Sequence, residues 1–337
     1  MDTHDFSAIK FILSPTTFIH EIEEEDVNFK IWVIIILSAV SVIGLLTNFG
    51  NIYMTVKSPV LHNAFGYLCA SHSLAEVLNL LIAGIWTIIV AVVDKNLANT
   101  ILSNKLGQVA VGVCLLTSYT VLTKAINRFM AFATPLVYRN VFNNKNSKFV
   151  IGVTWFLGFC HGVVGFFDGC NFILDPIGHF WYFDTTPCGQ FLAVYIDLGW
   201  SCFIMVIVVI LDSITLYNLI RFQEALRAVT GSEANKRSLD IRFFVQSCMT
   251  TLLQVLMLIS FHVFSRFAES AWAVFFTTTF AWAASSAIDG VVNFGFNLKH
   301  LKIKSNPGTD VIIMQRSKIA SNSIMKSGSM ASVPISK

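Results

Sequence analysis

Apolar residues gather in seven runs separated by short polar stretches, at 31–56, 64–93, 106–133, 149–168, 191–220, 243–264 and 271–296. Each run is long enough to cross a hydrocarbon core of ~30 Å at ~1.5 Å per helical residue. Hydrocarbon offers the backbone no hydrogen bonds, so only helices or closed barrels cross it, and runs of this length are helices. The third, fifth and second are longer than needed, which predicts tilt or extension beyond the bilayer. The expected fold is an all-α membrane protein, a seven-transmembrane helix bundle over 31–296. A tail, 1–30, precedes it and a segment, 297–337, follows. All seven prolines fall in the expected loops, tails or span ends.

Lysine and arginine set the orientation. The tail before the first run and the even-numbered loops hold 5 of them, against 17 on the other side. The N-terminus is therefore expected outside and the C-terminus in the cytoplasm. No secretory signal precedes the first run, which is expected to act as its own insertion signal. The chain is 55% hydrophobic and only 13% charged, with a mean hydropathy of +0.66. A soluble protein of this length needs more polar surface; a polytopic membrane protein has lipid on its outside. A net charge of +3 and the lack of a basic low-complexity tract argue against a nucleic-acid partner and leave membrane lipid as the expected surroundings.

Polar residues inside the spans are the candidates for function. Asn48 and Asn51 lie in the first run, Glu76 in the second, and Asp289 and Asn293 in the seventh. They are expected to meet in the bundle interior through water or a cation. Each also has a bland role, an interhelical hydrogen bond worth about 1 kcal/mol for an asparagine. The third run ends in Lys124–Tyr138, KAINRFMAFATPLVY, with Arg128 at the water boundary or paired inside. His72 and His161 read as packing or hydrogen-bonded residues rather than metal ligands, because no Cys or carboxylate stands at ligand spacing. No metal and no cofactor are expected. Asp212 has no assigned part.

Cys170 and Cys188 flank the outer loop CNFILDPIGHFWYFDTTPC and face an oxidising space, where a disulfide is expected. The aromatic stretch His179–Phe183 reads equally as an apolar lid over a ligand or as a segment dipping into the interface. Asp197, Trp200, His262 and Trp272 fall toward the outer face. With Trp86, Phe167, Tyr195 and Phe261 they form the candidate ligand pocket, although aromatics at that depth also serve as interface anchors. On the inner side, loop 221–242 is basic. Phe294–Lys304 alternates apolar and basic residues in a way that suits a short membrane-surface helix, and the serine-rich end reads as disordered.

Asn127-Arg128-Phe129, Pro135-Leu136 and Tyr138 resemble the end of the third helix in rhodopsin-like G-protein-coupled receptors. Asn48, Glu76 and Asp289–Asn293 resemble their polar activation network. This chain departs from the pattern at Glu76, at the missing proline and tyrosine of the seventh helix, and at Asn127. Asn127 stands where the acid that pairs with the arginine usually lies, which counts against a simple ionic lock. Gly44–Asn48, Asn63–Ser71, Ile126–Phe129, the paired loop cysteines, Arg242–Cys248 and Ala287–Gly290 together resemble the nematode serpentine chemoreceptors of class x (Srx). The resemblance spans about residues 40–300.

It implies a multi-pass plasma-membrane receptor, often in the cilia of sensory neurons. Such a receptor binds a small extracellular ligand and activates a heterotrimeric G protein, with Arg128 bearing on coupling. A neuropeptide or transmitter receptor of the same fold fits the same spans. An ion channel or transporter is the rival from another class, with Glu76, Asp197 and Asp289 marking an ion path; the lack of an internal repeat and of broken helices counts against it. The last span has no lysine for a retinal Schiff base. No HExxH, Gly-x-Ser-x-Gly or P-loop pattern points to an enzyme.

Overall fold

The computed structural model describes residues 27–164, 166–167, 169–229 and 234–303. The acidic stretch 21–26 and the serine-rich end lie outside them. Seven helices among the described residues are long and apolar enough to cross a membrane. α1 is Val27–Lys57. α2 runs through Ala64–Asn79, a π-helical stretch Leu80–Trp86, and Thr87–Val92. α3 is Ile101–Ala133 and α4 is Asn144–Val164. α5 runs through Pro187–Phe191, a π-helical stretch Leu192–Gly199, and Trp200–Val229. α6 is Ala234–His262. α7 runs through Ala271–Phe275, a π-helical stretch Phe276–Phe280, and Ala281–Ile303. A short helix, Pro135–Val141, joins α3 to α4. Residues Asn297–Lys337 cluster as a second unit, whose described part is the end of the last helix.

Helix starts are earlier than hydropathy alone predicts, because capping side chains set them. Thr100 accepts from the Ser103 amide to open α3, and Thr186 accepts from the Gly189 amide with Pro187 in the first turn of α5. Asn143 Oδ1 accepts from the Asn146 amide at 2.9 Å at the start of α4.

The bundle is apolar outside and polar within. On α1 the buried stripe is Val33, Leu37, Ser41, Gly44, Asn48 and Asn51. Ile31, Trp32, Ile35, Val42, Leu46 and Phe49 on the opposite face are about half or more exposed. Such a face is unstable in water and natural in lipid.

α3 is the central helix and packs most closely on α4. A Cβ built on Gly112 would lie 3.0 Å from Gly162 Cα, and one on Gly158 would lie 2.8 Å from Leu116 Cβ. Small residues let the two backbones approach where no hydrophobic force acts between helices. Trp155 on α4 donates to Ser71 Oγ on α2 at 2.9 Å.

Between α4 and α5 the chain forms a hairpin. β1 (Phe172–Leu174) pairs antiparallel with β2 (Trp181–Phe183), with Phe172 opposite Phe183 and Leu174 opposite Trp181. Asp175 closes the turn by accepting from the amides of Ile177 at 2.9 Å and Gly178 at 2.6 Å. His179 takes a left-handed conformation, φ 53°.

Candidate functional site

Three polar or aromatic centres lie along the bundle axis. At mid-depth, His72 and Glu76 sit one turn apart on the inner face of α2. His72 Nε2 lies 2.9 Å from Asp289 Oδ2 and 3.6 Å from Glu76 Oε1. Its Nδ1 meets Thr120 Oγ1 of α3 at 2.6 Å. Asn79 donates to Glu76 at 3.2 Å and to Thr117 at 3.1 Å. Asn293 donates to Asp289 and accepts from Gln246 of α6, both at 2.6 Å. Asn48 and Asn51 tie α1 to α7 by donating to the carbonyls of Ser286 and Gly290 at 3.2 Å.

Of the expected network, Glu76, Asp289 and Asn293 are linked through His72 and direct hydrogen bonds, while Asn48 reaches only backbone carbonyls of α1 and α7; all four are buried. Sequence reading left out its hub, His72, along with Thr120, Asn79 and Gln246. A His and a Glu at i, i+4 in an apolar span was the available signal, and the expectation that no carboxylate stands at ligand spacing from His72 is corrected: Glu76 lies one turn on, 3.6 Å from its ring. His72, Glu76 and Asp289 present ligand atoms within 4.8 Å of one another, a grouping able to hold a cation. Lys124 of α3 is also fully buried, within electrostatic reach of Asp289 and Glu76.

Toward the end of α3, Arg128 is buried. Its Nη2 lies 2.5 Å from Asp212 Oδ1 of α5, and Nη1 donates to Ser247 Oγ of α6. The expectation that Asn127 denies the arginine an acid is corrected here. Asn127 is buried with no hydrogen-bond partner for its amide nitrogen among the described residues, and the acid comes from α5, a separation of 84 residues. Phe129 is half-buried beside it. Pro135 is exposed and opens the connecting helix. Tyr138 packs with the small cluster of Ala64, Leu68 and Phe142 rather than with the arginine.

At the opposite end, Cys170 and Cys188 are joined in a disulfide with a Cα–Cα distance of 4.8 Å. The hairpin between them turns into the bundle. Trp181 is fully buried; its indole donates to Thr87 of α2 at 3.0 Å and its amide to Thr279 of α7 at 3.1 Å. The aromatic stretch is packed into the bundle, which counts against a placement in the interface. The phenol of Tyr182, on the other side of the hairpin, is raised in pKa by burial and then by Asp175 and Asp184.

Beneath the hairpin lies a small cavity of about 20 Å³, room for a water molecule. Phe172 and Phe183 roof it, with Val111 and Cys114 of α3, Asp197 of α5, Met257 and Phe261 of α6 and Trp282 of α7 around it. Of the expected pocket residues, Asp197 and Phe261 line it. His262 reaches it through Asp197, with Nε2 at 2.9 Å from Oδ2.

The others stand apart from the cavity. Trp200 donates to Tyr119 Oη at 2.7 Å and stacks on His161. Trp86 donates to Ser103 at 3.1 Å, and Trp272 meets Phe29 edge-on at 4.7 Å. Tyr195 and Phe167 are 65% and 66% exposed and face away. Tyr195 and Asp197 stand two residues apart on α5, and helical positions two apart point to opposite sides, so only one of them lines the cavity.

A family model described as serpentine type 7TM GPCR chemoreceptor Srx matches residues 39–297. The chain is similar to serpentine receptor class X 45 of Caenorhabditis elegans, 24% identical over 292 residues that cover 79% of each chain. It is also similar to serpentine receptor class X-43 of the same organism, 27% identical over 182 residues, or 52% of this chain and 56% of the relative.

Proposed function

We propose, since the chain belongs to the Srx family of serpentine seven-transmembrane chemoreceptors, that it binds a small extracellular molecule at the hairpin end and activates a heterotrimeric G protein at the Arg128 end. The hairpin end lies outside and the C-terminus in the cytoplasm, in keeping with the excess of Lys and Arg on the Arg128 side. The receptor works in the plasma membrane, with the sensory cilium as its specific site.

The observation that carries this reading is the burial of Arg128 between Asp212 and Ser247. A charge held this way belongs to one of two states. While α5 and α6 grip it, the arginine is withheld from a partner. Once they move apart it faces the cytoplasm. The side chains gathered beneath the hairpin come from α3, α5, α6 and α7, and a ligand that shifts the hairpin acts on helices that meet around Arg128 and Asp289. The mid-depth network then couples the two ends, because its hydrogen bonds cross α1, α2, α3, α6 and α7.

G-protein activation in a heterologous cell tests this, with pooled volatile and soluble chemicals as stimulus and surface labelling as control. Arg128→Ala is expected to reach the surface and lose the response. A full response from that variant at equal surface level overturns the role of Arg128, and absence of any response in the native chain overturns the receptor reading.

A further inference from the structure

On the Arg128 side of the bundle, the end of α1 and the starts of α2 and α4 form a basic edge. Lys57 closes α1 and stands 5.9 Å over the ring of Tyr53. The turn Pro59–Leu61 then leads to His62, whose Nε2 meets the Val56 carbonyl of α1 at 3.1 Å. The same imidazole stacks on Tyr67 of α2, with ring centroids 6.4 Å apart and planes 13° from parallel. Lys148 of α4 reaches that tyrosine too, its Nζ 5.8 Å from the ring centre. Lys57, His62 and Lys148 are exposed. An ammonium at such a distance is attracted to a ring face but keeps its charge. No Asp or Glu occurs in 27–75 or in 95–167. The rule that sets orientation needs only that cations stand on this side; it does not gather two basic groups, from separate elements, on one tyrosine.

We propose that this edge binds a phosphoinositide of the inner leaflet, with Lys57, His62 and Lys148 on its phosphates. The inner leaflet rests on the reading above that the Arg128 side is cytoplasmic. Hydrogen bonds from charged donors to phosphate are among the strong ones, and basic pockets between helices at the cytoplasmic surface suit such head groups. Three basic groups on three elements fit a head group with several phosphates, because each phosphate finds its own donor. His62 has Nδ1 left for this, since Nε2 serves the Val56 carbonyl. A head group of single net charge engages one of the three at a time. The occupant is a lipid rather than a soluble anion because of what lies beside the cations. Tyr53 and Val56 of α1 and Phe149 of α4 are all more than half exposed, an apolar face that acyl chains cover. One lipid bound there ties α1, the α1–α2 turn and α4 together.

Binding is measured on the full-length chain in detergent, where neither orientation nor a G protein enters. Thermal melts are taken with dioctanoyl phosphatidylinositol bisphosphate, dioctanoyl phosphatidylserine and free inositol trisphosphate at equal concentration. The phosphoinositide is expected to raise the melting temperature by a few degrees. Phosphatidylserine is expected to raise it clearly less, and the free head group to leave it unchanged. Lys57→Gln with Lys148→Gln is expected to abolish the shift; both side chains are exposed, so the melt without lipid is expected to match the native one. Arg221 is the control, a cation 5.6 Å over Tyr217 at the same end of α5 with no second basic group on that ring among the described residues, and Arg221→Gln is expected to keep the shift. The proposal is overturned if the phosphoinositide gives no shift, if phosphatidylserine or the free head group matches it, if the double variant keeps it, or if Arg221→Gln loses it equally. Antibody access to a C-terminal tag on intact cells reads the orientation separately. A shift in detergent with the tag outside fails the cytoplasmic reading of this side alone, and no shift with the tag inside fails this proposal alone.

Discussion

His72 on α2 and Asp289 on α7 face each other across the bundle at 2.9 Å, Nε2 to Oδ2, while the second imidazole nitrogen is held by Thr120 of α3 at 2.6 Å. One side chain thus binds three helices at mid-depth. Residues that act as a unit are non-additive. His72→Leu and Asp289→Leu are each expected to destabilise the receptor by ~1–3 kcal/mol, since each leaves a buried polar partner exposed to hydrocarbon. The double variant is expected to lose clearly less than the sum. Thermal melts of the four proteins in one detergent check this, and strict additivity would remove His72 as the hub.

Asp212→Asn is expected to raise basal signalling. The amide keeps the shape of the carboxylate and still accepts from Arg128, but the charge assistance that roughly doubles such a bond is gone. If the held state loses ~1 kcal/mol relative to the released one, the released population rises about fivefold. Basal second-messenger output at matched surface level reads this out. An unchanged or lower output would mean that the Arg128–Asp212 pair does not hold the inactive state.

Trp181 anchors the lid, and its removal opens a large hole. Trp181→Ala is expected to cost about 3–5 kcal/mol and to expose the cavity, seen as faster labelling of Cys114 by a small thiol reagent. Trp181→Phe keeps most of the volume and loses the bond to Thr87, so a cost nearer 1 kcal/mol is expected.

The close pass of α3 and α4 depends on glycine. A Cβ on Gly158 would stand 2.8 Å from Leu116 Cβ and 3.2 Å from its Cα. Gly158→Leu is expected to push the helices apart at ~1–3 kcal/mol and lower surface expression. Gly152, with open space around it, is the control: Gly152→Leu is expected to leave expression unchanged.

The disulfide between Cys170 and Cys188 closes a stretch of 18 residues. Chain entropy assigns such a closure about 3 kcal/mol. Cys170→Ser with Cys188→Ser is expected to melt several degrees lower, and reductant is expected to lower the native chain to the same point.

The sequence by itself determined the seven spans, because runs of 20 or more apolar residues have one solution in lipid: helices with every backbone bond satisfied internally. It also singled out Asn48, Glu76, Asp289 and Asn293, since polar groups in such runs must turn inward. Only the tertiary structure decided whom they meet. Asp212 pairs with Arg128 across 84 residues, and Asp289 reaches back to His72 on the second helix; no local pattern encodes such pairs. Asp197 lines the cavity and Tyr195, two residues earlier, faces out; the helical period sets the two on opposite sides but does not say which side meets the bundle. The hairpin's turn into the bundle was open for the same reason: its aromatics suit lipid and protein equally, and the choice rests on Thr87 and Thr279, hydrogen-bond partners that lie some hundred residues away on either side.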